Sequence, residues 1–343
     1  MPLHHSREVD LSVTVRAKAY AKDFVSVSGD PMPWKAVALT LVAAAVPPVI
    51  CGLLFGKLAI AALIASMSAH LAAKDVRSGS AGLIVFSTGL AGFVCLGNQD
   101  MTLLVAPMVG IATATAGYYG FAKPVIRGLI FWTIFTSALM PTDQPEAMFL
   151  AYCISMIWSL VVTHLAGLAA TIPPEEPTSP QYTTVFGAVF AIGLVISVYV
   201  GQRHFGDHGF WFPLTFVALC LPPHGTLFSR TLQRGVGTIV GTLVVFLVGL
   251  VAPNHWWIAS IGVIALPIGF RILPQSYTGF ITCLTITVLA FLNLATPFDT
   301  LAFERLATMG LAALMTGVLA SLGALVLWFV RPEALKALQD EGS

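Results

Sequence analysis

Apolar runs close to the length a helix needs to cross hydrocarbon, roughly 20 residues, follow one another along this chain with only brief polar breaks. In the first half they predict helical spans at about 34–54, 57–73, 79–97, 101–122, 125–141 and 146–170. The Pro- and Glu-rich stretch TIPPEEPTSPQ, Thr171 to Gln181, then interrupts the pattern as a linker. Six more spans follow at about 182–201, 209–224, 233–252, 255–271, 275–293 and 302–330. The second, eighth and tenth are short, and Pro213 and Pro267 stand inside the last two, so ten to twelve crossings fit the pattern. The expected fold is an all-α integral membrane protein of about 12 transmembrane helices, bounded by tails at 1–33 and 331–343.

Composition agrees. Hydrophobic residues make up 57% and charged residues 10% of the 343 positions, against about 25% charged in a soluble domain. A formal net charge of +1 without a dense basic cluster removes nucleic acid as a partner. The lipid bilayer is the partner that the pattern requires. No apolar segment near the start reads as a cleavable signal. The five cysteines lie in apolar runs without C-x-x-C spacing, so they read as packing residues and neither a metal nor a disulfide framework is expected.

Charge position assigns sides. With the N-terminus inside, every Lys and Arg of the 17 falls on the cytoplasmic side except Lys57, Arg203 and Arg305, while outer loops at Asp100, Asp143 and Glu146 carry acid. Twelve spans with both termini cytoplasmic produce this split. Trp34, Trp211, Trp256, Trp257 and Trp328 stand at expected span ends, as an interfacial belt requires.

The halves 34–170 and 182–330 read as copies. A shift of 156 brings Gly79 onto Gly235, Asn98 onto Asn254 and PTD at 141–143 onto PFD at 297–299; a shift of 154 brings His70 onto His224. Six spans per copy is an even number, so both copies enter from one side and the repeat is parallel, as in transporters whose pathway runs between halves.

Arg230 and Arg234 stand at the cytoplasmic entrance of the ninth span, one helical turn apart, with Gly237 and Gly241 continuing their face. Two guanidiniums beside a helix N-terminus suit an anion. Arg77, with Gly79 and Gly82, holds the matching place in the first half. Arginines snorkelling to headgroups as positive-inside anchors explain the same positions.

The second half resembles the fusaric acid resistance and aromatic acid exporter family. The likeness rests on FWFPLTFVALCLPPHG at 210–225, RGVGTIVG at 234–241 and ERLATMG at 304–310. It covers 182–330 and extends only weakly over 34–170, where KLAIAALIASMSAHLAAKDVRSGSAG at 57–82 lacks the Trp and the Gly-Thr. The resemblance implies efflux of aromatic carboxylates across a bacterial inner membrane, often with a periplasmic adaptor of the membrane-fusion type. Plant malate-transporting anion channels look like distant relatives, which keeps a channel mode open.

The expected substrate binders are Arg234, Arg230 and Arg77, whose planar forks match a carboxylate. Trp132 and Trp158 lie inside spans, where an indole either stacks on an aromatic ring or packs among helices. His70, His224, Glu304 and Arg305 are the candidates for proton coupling or gating; interfacial hydrogen bonding by the histidines and simple pairing of Glu304 with Arg305 are the plainer readings. No metal-ligand spacing, nucleophile elbow or P-loop is present, so an enzyme is not expected, and no cofactor. The expected function is gradient-driven export of a small organic anion; an anion channel and a noncatalytic scaffold for an adaptor are the alternatives. Self-association into a homo-oligomer is compatible with all of them.

Overall fold

The structure is a computed structural model that describes residues 29–137, 140–170, 180–222, 227–251, 254–293, 298–330 and 332–333. Every regular element among them is helical. In chain order the α-helices are α1 Trp34–Phe55, α2 Ala59–Asp75, α3 Ser78–Cys95, α4 Gln99–Tyr118, α5 Ala122–Phe135, α6 Pro145–Leu165, α7 Pro180–His204, α8 Trp211–Leu219, α9 Leu227–Val251, α10 His255–Ile272, α11 Tyr277–Leu292 and α12 Phe298–Val330.

Among the described residues seven stretches are long and apolar enough to cross a membrane: Trp34–Asp75, Ser78–Cys95, Gln99–Tyr118, Pro145–Leu165, Thr183–His204, Leu227–Val251 and Thr300–Val330. The first is not one straight helix. Gly56 takes a left-handed φ of 61°, a conformation that Gly adopts without a Cβ penalty, and it turns α1 back on α2. Helices α10 and α11 are apolar but shorter, and α8 has nine residues, which covers only about 14 Å at 1.5 Å per residue. The eighth expected span, 209–224, is therefore a half-length helix within the described residues, and it is buried along nearly its whole length.

Burial is distributed as a bilayer demands. The faces turned outward carry large apolar side chains, among them Leu53, Leu54, Phe55, Leu83, Leu250 and Val251, a coat that only lipid would solvate. Inward faces are small or weakly polar. On α2 the residues Ala61, Ala62, Ala65, Ala69, Ala72 and Ala73 are fully enclosed with Ser66, Ser68 and His70. Lipid is as apolar as leucine, so helices in it gain from close backbone approach and interhelical hydrogen bonds. Of the cysteines, Cys51, Cys95 and Cys220 are buried, Cys153 and Cys283 partly so, and none forms a disulfide.

Contacts divide the chain into two compact units, one drawn from Met1–Pro33 and Leu232–Leu294, the other from Trp34–Thr231 and Ala295–Ser343. In the larger unit, one core joins α1, α2, α3, α5 and α6. A second joins α3, α4 and α5 to α7 and α8 through Trp132, Leu129, Phe190 and Phe216.

Residue numbers that meet across a helix pair keep a constant sum in an antiparallel pair and a constant difference in a parallel one. By this measure α1 and α2 are antiparallel, with Ser66 against Ala44 and Gly52 beside Ala59. Likewise α4 and α7 are antiparallel, joined where Gly110 abuts Ala191 and Gly187 abuts Ala114. Helices α2 and α6 are parallel: Ser159 Oγ donates to Ser66 O at 2.7 Å, and the His70 ring meets Thr163 Oγ1 at 2.9 Å. Helices α3 and α5 are also parallel, with Gly92 under Phe135 and Gly128 against Thr88. Helix α7 runs antiparallel to α8 and to α12, through Gly193 against Phe216 and Leu319 and Gly323 beside Val189. In the smaller unit α10 and α11 are antiparallel, with Gly262 against Ala290 and Gly269 against Cys283.

One of the two carbonyls freed by the proline pair in α1 is answered by a neighbouring helix. Pro48 has no N–H for the carbonyl of Ala44 four residues back; Ser66 Oγ donates to that oxygen at 2.7 Å, and Trp158 Nε1 donates to Val42 O at 3.1 Å. Ser66→Ala is expected to lower the apparent unfolding midpoint of the detergent-purified protein, because a buried carbonyl loses its donor at a cost of about 1 kcal/mol. An unchanged midpoint in scanning fluorimetry would show that the hydroxyl contributes nothing.

Candidate functional site

The helix that begins LFSRTLQRGVGTIVGT has two distinct faces. Ile239, Leu243 and Leu247 are exposed, while Arg234, Gly237, Thr238, Gly241, Thr242 and Val245 form a buried stripe at helical spacing. The stripe exists because α9 and α11 lie side by side in the same direction. An added Cβ would stand 2.8 Å from Thr278 O at Gly237 and 2.7 Å from Thr282 O at Gly241. At both positions the obstacle is backbone, so only glycine allows the approach.

Along that stripe polar atoms remain without partners. Arg234 is 6% exposed; its Nη1 donates to Tyr277 Oη at 3.4 Å, and its Nε has no hydrogen-bond partner among the described residues. Thr238 Oγ1 and Thr242 Oγ1, at successive four-residue steps above it, are also unpartnered, as is Thr278 Oγ1 on α11. Each such group costs about 1–3 kcal/mol when left dry. A guanidinium donates only and a hydroxyl donates readily, so the column presents donors over roughly 12 Å, eight residues of helix. Such an array suits an anion shedding its water. The threonines were not among the expected site residues; their four-residue spacing from Arg234 in RGVGTIVGT was the available signal.

Arg230 does something else. Its Nη1 donates to Leu221 O at 2.7 Å and to Pro222 O at 3.0 Å, capping carbonyls just beyond the end of α8. Arg77 is exposed at the N-cap of α3, and no side-chain cap bond forms there. The structure thus holds the expected binders in three settings: buried and partly unpartnered, bonded to backbone, and solvent-facing.

A second polar cluster gathers at the start of α12. Glu304 Oε2 meets His208 Nδ1 at 2.7 Å. Trp211 stacks on the His208 ring, centroids 5.1 Å apart, and the Arg305 guanidinium lies 5.5 Å from the Trp211 ring centroid. Arg305 Nη1 also donates to Thr215 Oγ1 at 3.3 Å. Glu304 therefore pairs with a histidine, where the adjacent Arg305 was the partner that spacing suggested. His208 and Trp211 were not picked out as site residues; GDHGFW, with a histidine shortly before a tryptophan at a helix start, was the signal in the sequence.

The first-half candidates are placed differently. His70 is buried, with Nδ1 at Thr163 Oγ1; since Thr163 Oγ1 donates to Ser159 O at 2.6 Å, the ring nitrogen is the donor. Its Nε2 has no partner among the described residues. One turn away, Arg127 Nη1 binds Asp75 at 2.6 Å and Leu71 O at 3.2 Å, with Lys123 at 3.3 Å from the same carboxylate, so α2 and α5 are pinned by a partly buried ion pair. Trp132 is enclosed in the second core, and Trp158 is part-exposed with its N–H on Val42 O. His224 lies outside the described residues. No group of His, Cys, Asp and Glu that would hold a metal occurs among the described residues.

Residues 188–330 match the model of a family described as fusaric acid resistance protein-like. That range contains Arg230, Arg234, the threonine column and the His208–Glu304 cluster, and it excludes Arg77, His70, Trp132 and Trp158. No curated protein and no solved structure matches the chain.

Proposed function

We propose that this multi-pass membrane protein is a secondary exporter of organic anions, aromatic carboxylates foremost, working across a bacterial inner membrane and driven by the proton gradient. The observation that carries this reading is the buried Arg234, whose Nε has no partner among the described residues, at the foot of the hydroxyl column on α9. A buried guanidinium without a carboxylate partner is costly. An anionic substrate removes that cost, and the hydroxyls above it replace hydration as the anion moves. The family match of the second half supports an efflux role.

Twelve crossings with both ends cytoplasmic remain the topology we favour. Wherever a register fixes direction in the larger unit, odd-numbered helices run one way and even-numbered helices, α12 included, the other. The pairs α1–α2, α2–α6 and α3–α5 have counterparts of the same sense in α7–α8, α8–α12 and α9–α11, which supports a parallel duplication. Coupling is assigned to Glu304 and His208, an acid and a base in direct contact at 2.7 Å at the outer end of the last span.

The test is the steady-state accumulation of labelled hydroxybenzoate in cells expressing the wild type, Glu304→Gln or an empty vector, each with and without a protonophore. Wild-type cells should hold severalfold less label, and the protonophore should erase the difference. Glu304→Gln should match the empty vector in energised cells yet still exchange label in de-energised vesicles. Equal accumulation throughout would remove aromatic carboxylates as substrates. A current at fixed voltage that ignores pH would replace the exporter with a channel.

A further inference from the structure

A cavity of about 200 Å³ opens between α7, α8 and α12, wholly within the larger unit. Its wall is made of Phe186, Phe190, Phe216, Cys220, Leu319 and Thr316 with small residues of α12. Three of its rings form a stack: Phe186 and Phe190 lie 5.5 Å apart at 19°, and Phe190 and Phe216 lie 5.6 Å apart at 23°. The stack depends on Gly193, where a methyl would overlap Phe216 and Leu319. Thr316 is 2% exposed and its Oγ1 has no hydrogen-bond partner among the described residues. It stands near the middle of the 33-residue α12, at a depth where lipid tails offer a hydroxyl nothing to bond.

We propose that this cavity binds a neutral, single-ring aromatic molecule bearing one hydrogen-bonding group, a phenol-class ligand, with the ring on the phenylalanine stack and its oxygen at Thr316 Oγ1. Size fits, since an apolar cavity of about 150 Å³ admits benzene and the remainder holds one substituent. Charge decides the class. Among the described residues no Lys, Arg or His lines the cavity, so a carboxylate would lose its hydration with only a hydroxyl and a thiol from them in return. An acyl chain fills apolar volume but leaves Thr316 unpaired. The site is separate from the Arg234 column and does not depend on the export reading.

The experiment is saturation-transfer NMR on the full-length protein in nanodiscs, titrated with phenol, toluene, cyclohexanol or benzoate. Phenol should bind saturably. Toluene lacks the polar group and cyclohexanol the flat ring, and each should bind about tenfold more weakly, the size of one lost buried hydrogen bond or of the ring contact; benzoate should not compete. Thr316→Val should lower phenol to the level of toluene, and Ala320→Leu, or Ala324→Leu if the first does not fold, should abolish saturable binding of both. Signal that rises linearly and equally in wild type and the filled variants, as partition into lipid would give, overturns the site. So does a wild type that holds toluene as tightly as phenol, or one that binds phenol only after a co-purified acyl lipid is stripped away.

Discussion

Arg234→Ala is expected to cut hydroxybenzoate export by roughly 10- to 100-fold while the protein remains folded and inserted at wild-type abundance. The guanidinium is enclosed, donates weakly to Tyr277 Oη at 3.4 Å and has no partner for Nε among the described residues, so most of its hydrogen-bonding capacity is not taken up by them. Losing a charged hydrogen bond to substrate costs about 1.5–3 kcal/mol, a loss in transport efficiency on the order of 10- to 100-fold. Arg234→Lys keeps the charge but not the planar fork and should fall between, near tenfold. Stability should move the other way. Arg234→Met, which keeps volume and removes an uncompensated buried cation, is expected to raise the unfolding midpoint in detergent. An arginine serving only as a membrane anchor predicts the reverse pattern: reduced insertion for all three variants and unchanged export per inserted molecule. Transport assays normalised to surface abundance, beside scanning fluorimetry of the same variants, separate the two.

The second large effect is structural. Gly241→Val is expected to leave little correctly folded protein, because its Cβ would stand 2.7 Å from Thr282 O and 2.8 Å from Thr285 Cβ. A backbone carbonyl cannot rotate away, so α9 and α11 must separate, and overpacking of this kind costs typically 1–3 kcal/mol or more. Separation would also move Arg234 from Tyr277, so whatever protein survives should export poorly. Gly79→Val is the control: no described residue lies within 4 Å of a Cβ built there, although it is also a glycine near the start of a span. Size-exclusion profiles in detergent should show Gly241→Val aggregated and Gly79→Val unchanged. A monodisperse Gly241→Val with wild-type midpoint would mean that the two helices do not pack backbone to backbone.

The contrast between those glycines shows what pattern reading reaches. Gly79, Gly237 and Gly241 look alike in sequence, each near an arginine at a span start. Only the neighbour distinguishes them, and the neighbour of α9 is a helix some 40 residues away. The arginines behave similarly. Arg230 and Arg234 share a helical face by spacing, yet one caps carbonyls at Leu221 and Pro222 and the other is enclosed beside Tyr277. Arg77 was their analogue by register and is solvent-facing. Glu304 sat next to Arg305 in the chain, but adjacent residues on a helix point about 100° apart, which leaves Glu304 to His208 and Arg305 to Thr215 and Trp211.

The sequence by itself determined the solvent, the helical class and most of the helix boundaries. Those follow from local quantities: the length of an apolar run against the thickness of hydrocarbon, and the punctuation by Gly, Pro and charge between runs. It also singled out the start of α9, because two arginines before an uncharged apolar stretch are visible without a fold. Tertiary structure alone decided which polar atoms lack partners, that Ser66 answers the carbonyl freed by Pro48, that α8 is half a span, and that three phenylalanines enclose a cavity beside Thr316. The physical reason is that satisfaction of a buried donor or acceptor in a helix bundle is a relation between surfaces of different helices. Their pairing depends on small-residue contacts as close as one missing methyl, and nothing in a single apolar run records which other run will supply it.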